Sequence, residues 1–131
     1  MSHSRDKEIL TCAAAPKPIG PYSVAVKVCH FIFVSGQLGL SPQSGNLVEG
    51  GIKEQTRQVM ENIKNILEEN SASLESIVKT TVFLKNISDF AVFNEVYGGF
   101  FLNDPPARST VQVAALPKDG LVEVEVIAST E

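Results

Sequence analysis

Arg108 is the residue whose type and position point most directly to anion binding. It follows two consecutive prolines and opens an apolar segment, whereas the other arginines are Arg5, near the terminus, and Arg57, on the polar side of a long amphipathic helix. A guanidinium held by a rigid approach can donate two parallel hydrogen bonds to a carboxylate. An ordinary surface ion pair with one of the 15 acidic residues is the alternative. Local sequence leaves both interpretations open.

Glu123 and Glu125 alternate with valines close to the C-terminal end of the sequence. Successive side chains of a strand point to opposite faces, so the two glutamates share one face and lie about 7 Å apart. A solvated strand face would explain them without a function. If another subunit covers that face, a glutamate there needs a partner or a role. We expect Arg108, on a neighbouring strand, to be that partner.

The other inventories of catalytic residues are nearly empty. His3 lies close to the terminus, and His30 lies at a strand edge, where a surface histidine is the ordinary interpretation. Cys12 and Cys29 are typical of small core residues. No spacing of His, Cys and acidic residues matches a metal site, and the sequence has neither a phosphate-binding glycine loop nor a nucleophile elbow. We therefore expect a site without a metal or a cofactor.

Charge and hydropathy argue against several classes of partner. The formal net charge is −4 and the isoelectric point is about 5.2, which disfavours nucleic acid and anionic membrane surfaces. No apolar stretch approaches the roughly 20 residues needed to span a bilayer, and the first ten residues lack the apolar centre of a secretory signal. We expect a cytoplasmic protein, with a minor organellar pool left open.

The elements that must position these residues alternate between strands and helices. Strands are predicted at residues 7–12, 22–27, 31–36, 78–84, 110–115 and 121–129. One helix is predicted at residues 52–70, where apolar side chains recur at helical spacing, and a second from an N-cap at Ser88 towards Phe101. Residues 116–120 are typical of a hairpin connection between the last two strands.

This order of elements predicts an α+β fold in a single domain, residues 1–131, with residues 1–6 as a mobile terminus. The economical arrangement is a single mixed sheet with two helices packed on one face. The opposite face of the sheet then has no cover within the chain. We expect another copy of the chain to cover it.

Several separate motifs resemble those of the RidA/YjgF family. They are, in order, IGPYS at residues 19–23, VSGQ at 34–37, VKTTVFL at 78–84, DF at 89–90, PARST at 106–110, VAALPK at 113–118 and VEVE at 122–125. The resemblance covers residues 9–129, and the eukaryotic branch, described as heat-responsive or perchloric-acid-soluble protein, is the most similar. Many bacterial relatives have a cysteine where this chain has Thr110.

The resemblance implies a chorismate-mutase-like, YjgF-type fold and a homotrimer with three clefts between subunits. It also implies hydrolysis of the 2-imino acids 2-iminobutanoate and 2-iminopropanoate to 2-keto acids and ammonia. By motif, Arg108 would bind the substrate carboxylate and Glu123 would hold or activate the attacking water. The substrate-binding residues implied by the motifs are Tyr22, Gly36, Asn94 and Thr110, the last through its backbone.

Three other functions remain open. The same cleft of a trimer could bind 2-keto acids without catalysis, although a carboxylate-binding module gains nothing from a glutamate close to its arginine. A ribonuclease or translation inhibitor is a second alternative, which the acidic balance and the lack of a histidine pair disfavour. The third is an interaction protein whose assembly is its function.

Overall fold

The computed structural model of the chain describes residues 6–130. Its strands are β1 (Glu8–Leu10), β2 (Ala25–Val28), β3 (Phe31–Leu38), β4 (Ile77–Leu84), β5 (Ala107–Gln112) and β6 (Val122–Ser129). Its helices are α1 (Gly51–Glu69) and α2 (Phe90–Gly98). The predicted mobile terminus falls almost wholly outside the described residues.

The six strands form one mixed sheet in the order β1-β2-β3-β6-β4-β5. Neighbouring strands are antiparallel except for β4 and β5, which are parallel. Both helices pack on one face of the sheet, where their apolar side chains and alternate strand residues form one buried cluster. The predicted α+β arrangement, a mixed sheet with two helices on one face, is therefore confirmed.

Helix α1 lies close to its predicted position and is hydrogen-bonded to the end of β3. Its buried apolar side chains recur every three or four positions and are Val59, Met60, Ile63, Ile66 and Leu67. Between them, the buried Asn62 amide donates to the carbonyls of Leu38 and Leu40 at 3.3 and 3.0 Å. These two bonds fix the segment that follows Gly36, one of the predicted site residues.

Helix α2 is shorter than predicted. Ser88 lies in a 3-10 turn that spans Ile87–Asp89, and Asp89 occupies the N-cap position without a side-chain hydrogen bond. The prediction of Ser88 as the N-cap is therefore wrong by one residue. The helix ends at Gly98 and does not reach Phe101, because each of two consecutive glycines costs a helix about 1 kcal/mol relative to alanine.

Strand β5 and the connection after it differ most from the prediction. The strand spans Ala107–Gln112, three residues earlier than the predicted 110–115, and pairs in parallel with β4. Strand β6 lies between β3 and β4, so residues 116–120 do not form a hairpin connection between β5 and β6. Parallel neighbours need a crossover, which α2 supplies here, and local sequence does not specify such a pairing.

Candidate active site

Glu123 lies on the face of the sheet that the helices leave uncovered, as its alternation with valines predicted. The valines on either side of it are fully buried, whereas Glu123 is half-buried and Glu125 is exposed. Together with Tyr22 and Gly36, Glu123 lines a cavity of about 360 Å³. Nothing among residues 6–130 forms a hydrogen bond or an ion pair with its carboxylate. The carboxylate is therefore available to a ligand or a water molecule in the cavity.

The pKa of the Glu123 carboxyl is raised above its ordinary value. Burial, which disfavours the charged form, is the larger cause, and the negative charge of Glu125 on the same face adds to it. A carboxylate with a raised pKa accepts a proton more readily, as a general base for water must. The cavity thus contains a group suited to activate water.

Two further predicted residues contribute to the same cavity. Tyr22 precedes β2, although the sequence predicts it within that strand, and its hydroxyl accepts a hydrogen bond from the Ile19 amide at 3.2 Å. Gly36 lies within β3, and its backbone passes beside the Glu123 carboxylate. The structure thus brings Tyr22, Gly36 and Glu123 together.

Arg108 lies on the other face of the sheet, on the edge strand β5, against α2. Its guanidinium carbon stands 5.0 Å from the ring centre of Tyr97, and 5.5 and 5.6 Å from those of Phe90 and Phe93. Ring faces attract a cation at such distances. The Tyr97 hydroxyl is hydrogen-bonded to the Thr80 hydroxyl at 2.8 Å, which fixes one of these rings. The three rings form an aromatic platform that holds the guanidinium in place.

No carboxylate of residues 6–130 pairs with Arg108, and no acceptor in that range hydrogen-bonds to it. The side-chain oxygens of Asn94 and Thr110 are also buried without a partner in the described part of the chain. A buried polar atom left unsatisfied costs about 1–3 kcal/mol. Arg108 and Asn94 line a second cavity, also of about 360 Å³. An unpaired, preoriented guanidinium beside a cavity is suited to bind a carboxylate.

The predicted site residues thus form two groups that a single chain does not bring together. Tyr22, Gly36 and Glu123 lie on the uncovered face, whereas Arg108, Asn94 and Thr110 lie at the edge formed by β5 and α2. The prediction that Arg108 lies on a strand next to that of Glu123 is wrong, because β4 separates β5 from β6.

The aromatic platform of Arg108 is a feature that sequence reasoning missed. From the sequence, Phe90, Phe93 and Tyr97 are only apolar residues within the second predicted helix. Their spacing of three and four residues places all three on one side of the helix. That spacing, followed by an arginine at the start of the next strand, is the sequence signal that would have indicated the aromatic platform.

Neither cysteine belongs to the two cavities just described. Cys29 is exposed in the β2–β3 turn with a φ of 55°, so its interpretation as a core residue is wrong. Cys12 is partly buried, and its Sγ lies 3.6 Å from an oxygen of Glu69. Burial raises the pKa of the Cys12 thiol, which makes it a weak nucleophile at neutral pH.

Residues 6–130 contain no group of three or more His, Cys, Asp or Glu side chains that could hold a metal ion. Glu123 and Glu125, which line the cavity on the uncovered face, therefore have no third His, Cys, Asp or Glu of residues 6–130 with which to hold a metal ion. Over the same range, neither helix has the length and apolar character needed to cross a membrane.

The fold and the site define a class of protein: an α+β chain with a half-buried glutamate on the open face of its sheet and an unpaired arginine on its edge strand. Residues 12–130 match the family described as Endoribonuclease L-PSP. The chain therefore belongs to this family, the RidA/YjgF family whose motifs it resembles.

Individual relatives match nearly the whole chain. A RutC family protein of Pyrococcus abyssi is 56% identical over 125 residues, which cover 95% of this chain and 98% of the relative. The 2-iminobutanoate/2-iminopropanoate deaminase of Bos taurus is 48% identical over 122 residues, which cover 93% of this chain and 89% of the relative. The crystal structure of E. coli TdcF with bound serine has a TM-score of 0.90 at 40% identity and covers 95% of this chain and 99% of its own. These identities do not single out the eukaryotic branch that the motifs suggested.

Proposed function

We propose that the protein hydrolyses small 2-imino acids, such as 2-iminobutanoate and 2-iminopropanoate, to 2-keto acids and ammonia. The observation that carries the proposal is the Arg108 guanidinium, held on three aromatic rings without an anionic partner among residues 6–130. A 2-imino acid offers it a carboxylate. The name of the Bos taurus relative, a 2-iminobutanoate/2-iminopropanoate deaminase, supports the same substrate class.

The proposed site forms between copies of the chain. In a 2-imino acid the carboxylate carbon and the imine carbon are directly bonded, so the group that binds the first and the group that delivers water to the second must lie within a few ångströms of one substrate. Arg108 and Glu123 of one chain lie on opposite faces of the sheet. We infer that the Arg108 edge of one copy meets the Glu123 cavity of the next.

Such an interface joins two different surfaces of the chain, and repeated contacts of this kind form a ring when the rotation between neighbouring copies closes. The ring of three implied by the family resemblance would contain three equivalent clefts. Large apolar side chains on the uncovered face support burial against a partner: Phe33 is 45% exposed, and Val111 is 46% exposed. The homotrimer is part of the proposal.

The proposed reaction is an addition followed by an elimination. Arg108 donates two hydrogen bonds to the substrate carboxylate and fixes the imine carbon in front of Glu123. Glu123 takes a proton from a water molecule as its oxygen bonds to the imine carbon. Glu123 passes that proton to the imine nitrogen, which gives the carbinolamine, and then moves the hydroxyl proton of the carbinolamine to the same nitrogen. The carbon–nitrogen bond breaks as the carbonyl group forms, and ammonia and the 2-keto acid leave. Because imines hydrolyse in water without a catalyst, the barrier to be lowered is modest. Orientation of the substrate by Arg108 and one base, Glu123, are sufficient to lower it.

The remaining predicted residues have supporting roles in this proposal. Asn94 and Thr110 lie close to Arg108 in sequence or in space, and their unpaired buried oxygens would be satisfied when the cleft is filled. Tyr22 lines the cavity that contains Glu123. Together they would exclude bulk water from the substrate, which strengthens the hydrogen bonds to its carboxylate.

The family description makes RNA cleavage the second candidate activity. No structural observation favours it: His30, exposed in the β2–β3 turn, is the single histidine of residues 6–130, and the net charge of −4 repels phosphates. A genuine nuclease would retain RNA cleavage through further purification and lose it on substitution of a residue in the site.

The test generates 2-iminobutanoate in situ with an amino-acid oxidase and traps the remaining imine with semicarbazide. We expect the wild-type protein to reduce trapping sharply and Arg108→Ala to have no such effect. Arg57→Ala is the matched control, because it removes only an exposed ion pair with Glu54 at 2.7 Å. If the wild-type protein does not compete with semicarbazide, the deaminase proposal is contradicted, and a 2-keto-acid-binding protein becomes the favoured function.

A further inference from the structure

Strand β3 contains a bulge beside Glu123. Val34 pairs with Val126 and Gln37 pairs with Val124, so two residues of β3, Ser35 and Gly36, oppose a single residue of β6. The bulge is held on both sides. The Ser35 hydroxyl donates to the Ser23 carbonyl at 2.6 Å, and the side-chain amide of Gln37 donates to the Ser35 carbonyl at 3.1 Å.

Gly36, within this bulge, occupies the position closest to the Glu123 carboxylate. A Cβ at residue 36 would lie 2.5 Å from Oε2 of Glu123, 2.8 Å from its Cδ and 3.1 Å from its Cγ. The distances to Oε2 and Cδ are shorter than real Cβ contacts, so a side chain at residue 36 and the present position of the carboxylate exclude each other.

The backbone conformation does not require glycine at this position. The glycines with a positive φ are Gly45, Gly50 and Gly51, and Gly36 is not among them. Alanine could therefore adopt the backbone angles of residue 36. What glycine provides there is space, and Glu123 occupies that space.

We propose that Gly36 is a positioning residue for the hydrolysis: by lacking a Cβ, it lets the Glu123 carboxylate lie against the β3 backbone, where it directs water at the imine carbon. This inference rests on the proposed function. A side chain at residue 36 forces the carboxylate away from the bulge. The displaced atoms are the end of a flexible side chain, so the fold tolerates the change, whereas the geometry of attack does not. A misplacement of about 1 Å in a reacting group can lower a rate by about 10²-fold.

The test is the Gly36→Ala variant, assayed for turnover of 2-iminobutanoate. We expect kcat to fall about 10- to 100-fold, while KM changes by less than about threefold because Arg108 still binds the carboxylate. The melting temperature and the oligomeric state should stay close to those of the wild type. Gly99→Ala is the matched control, since Gly99 is exposed after α2 and its added Cβ meets only the Val96 carbonyl at 3.3 Å.

A double-mutant cycle distinguishes positioning from a structural role. In a Glu123→Gln background, which already lacks the base, Gly36→Ala should have little further effect on kcat. Equal losses in both backgrounds, full activity of Gly36→Ala or failure of that variant to fold would each overturn the inference. An inactive wild-type protein would instead refute the proposed function, and the inference with it. An active wild-type protein with an equally active Gly36→Ala variant would refute only the role of Gly36.

Discussion

The guanidinium of Arg108 and the carboxylate of Glu123 lie on opposite faces of one sheet, with strand β4 between the strands that carry them. In register, Arg108 is level with Thr80 of β4, and Glu123 is level with Phe83. Arg108 stacks on three aromatic rings and Glu123 lines a cavity, but neither side chain has a hydrogen-bond or ion-pair partner among residues 6–130. In the proposed function, a second copy of the chain brings the two residues to one small substrate.

Replacement of Arg108 by lysine should lower kcat/KM for 2-iminobutanoate by about tenfold or more. Lysine keeps the positive charge but loses the paired hydrogen bonds and much of the stacking on the aromatic platform, and hydrogen bonds to charged groups contribute about 1.5–3 kcal/mol. Steady-state kinetics measure the change. Arg57→Lys, on the exposed side of α1, serves as the control, and equal kinetics for the two variants would contradict the carboxylate-binding role.

Two substitutions of Tyr97 should separate its hydrogen bond from its ring. Tyr97→Phe leaves the buried Thr80 hydroxyl without its partner at 2.8 Å, and should reduce the free energy of unfolding by about 1–2 kcal/mol with little change in KM. Tyr97→Leu also removes one ring of the platform, and should raise KM about threefold or more. Thermal denaturation and kinetics provide the two readouts. A KM that is the same in both variants would rule out the platform as a support for Arg108.

The pH dependence of activity should respond to Glu125. The pKa of Glu123 is raised first by burial and second by the charge of Glu125. Glu125→Gln removes that like charge, ionisation of Glu123 becomes easier, and its pKa falls. If ionised Glu123 is the base, the acid limb of the kcat/KM profile must move to lower pH. Glu68→Gln, at an exposed position of α1, is the control, and an acid limb that does not move in Glu125→Gln would argue against Glu123 as the base.

Local sequence patterns were sufficient to predict the helices and strands that bury one face and expose the other. The helical spacing of apolar residues gave α1 within one residue at each end, and the alternation of valine and glutamate identified the buried and open faces of β6. Both patterns depend on burial alone, which a sequence records directly. The order of strands and helices predicted that both helices pack on one face of the sheet and leave the other face uncovered.

The arrangement of β5 could not be obtained in this way. Its first residues, Ala107 and Arg108, lack the β-branched composition of a strand, and its parallel pairing with β4 joins segments separated by α2. A sequence motif identifies residues but does not give their relative positions in the folded chain. The family resemblance could therefore supply Arg108 and Glu123 as a pair, but not the fact that one chain keeps them apart. The platform of Phe90, Phe93 and Tyr97 became visible only with the side-chain distances.

Subunit mixing tests the shared cleft most directly. Arg108→Ala and Glu123→Gln are each expected to be inactive alone. When they are co-expressed in equal amounts, every mixed ring of three contains one cleft with an intact arginine from one copy and an intact glutamate from its neighbour. Random assembly then predicts about one quarter of the wild-type turnover of 2-iminobutanoate. If the mixture is as inactive as each variant alone while the wild-type protein is active, the two residues act within one chain, and the account of a cleft shared between copies is contradicted.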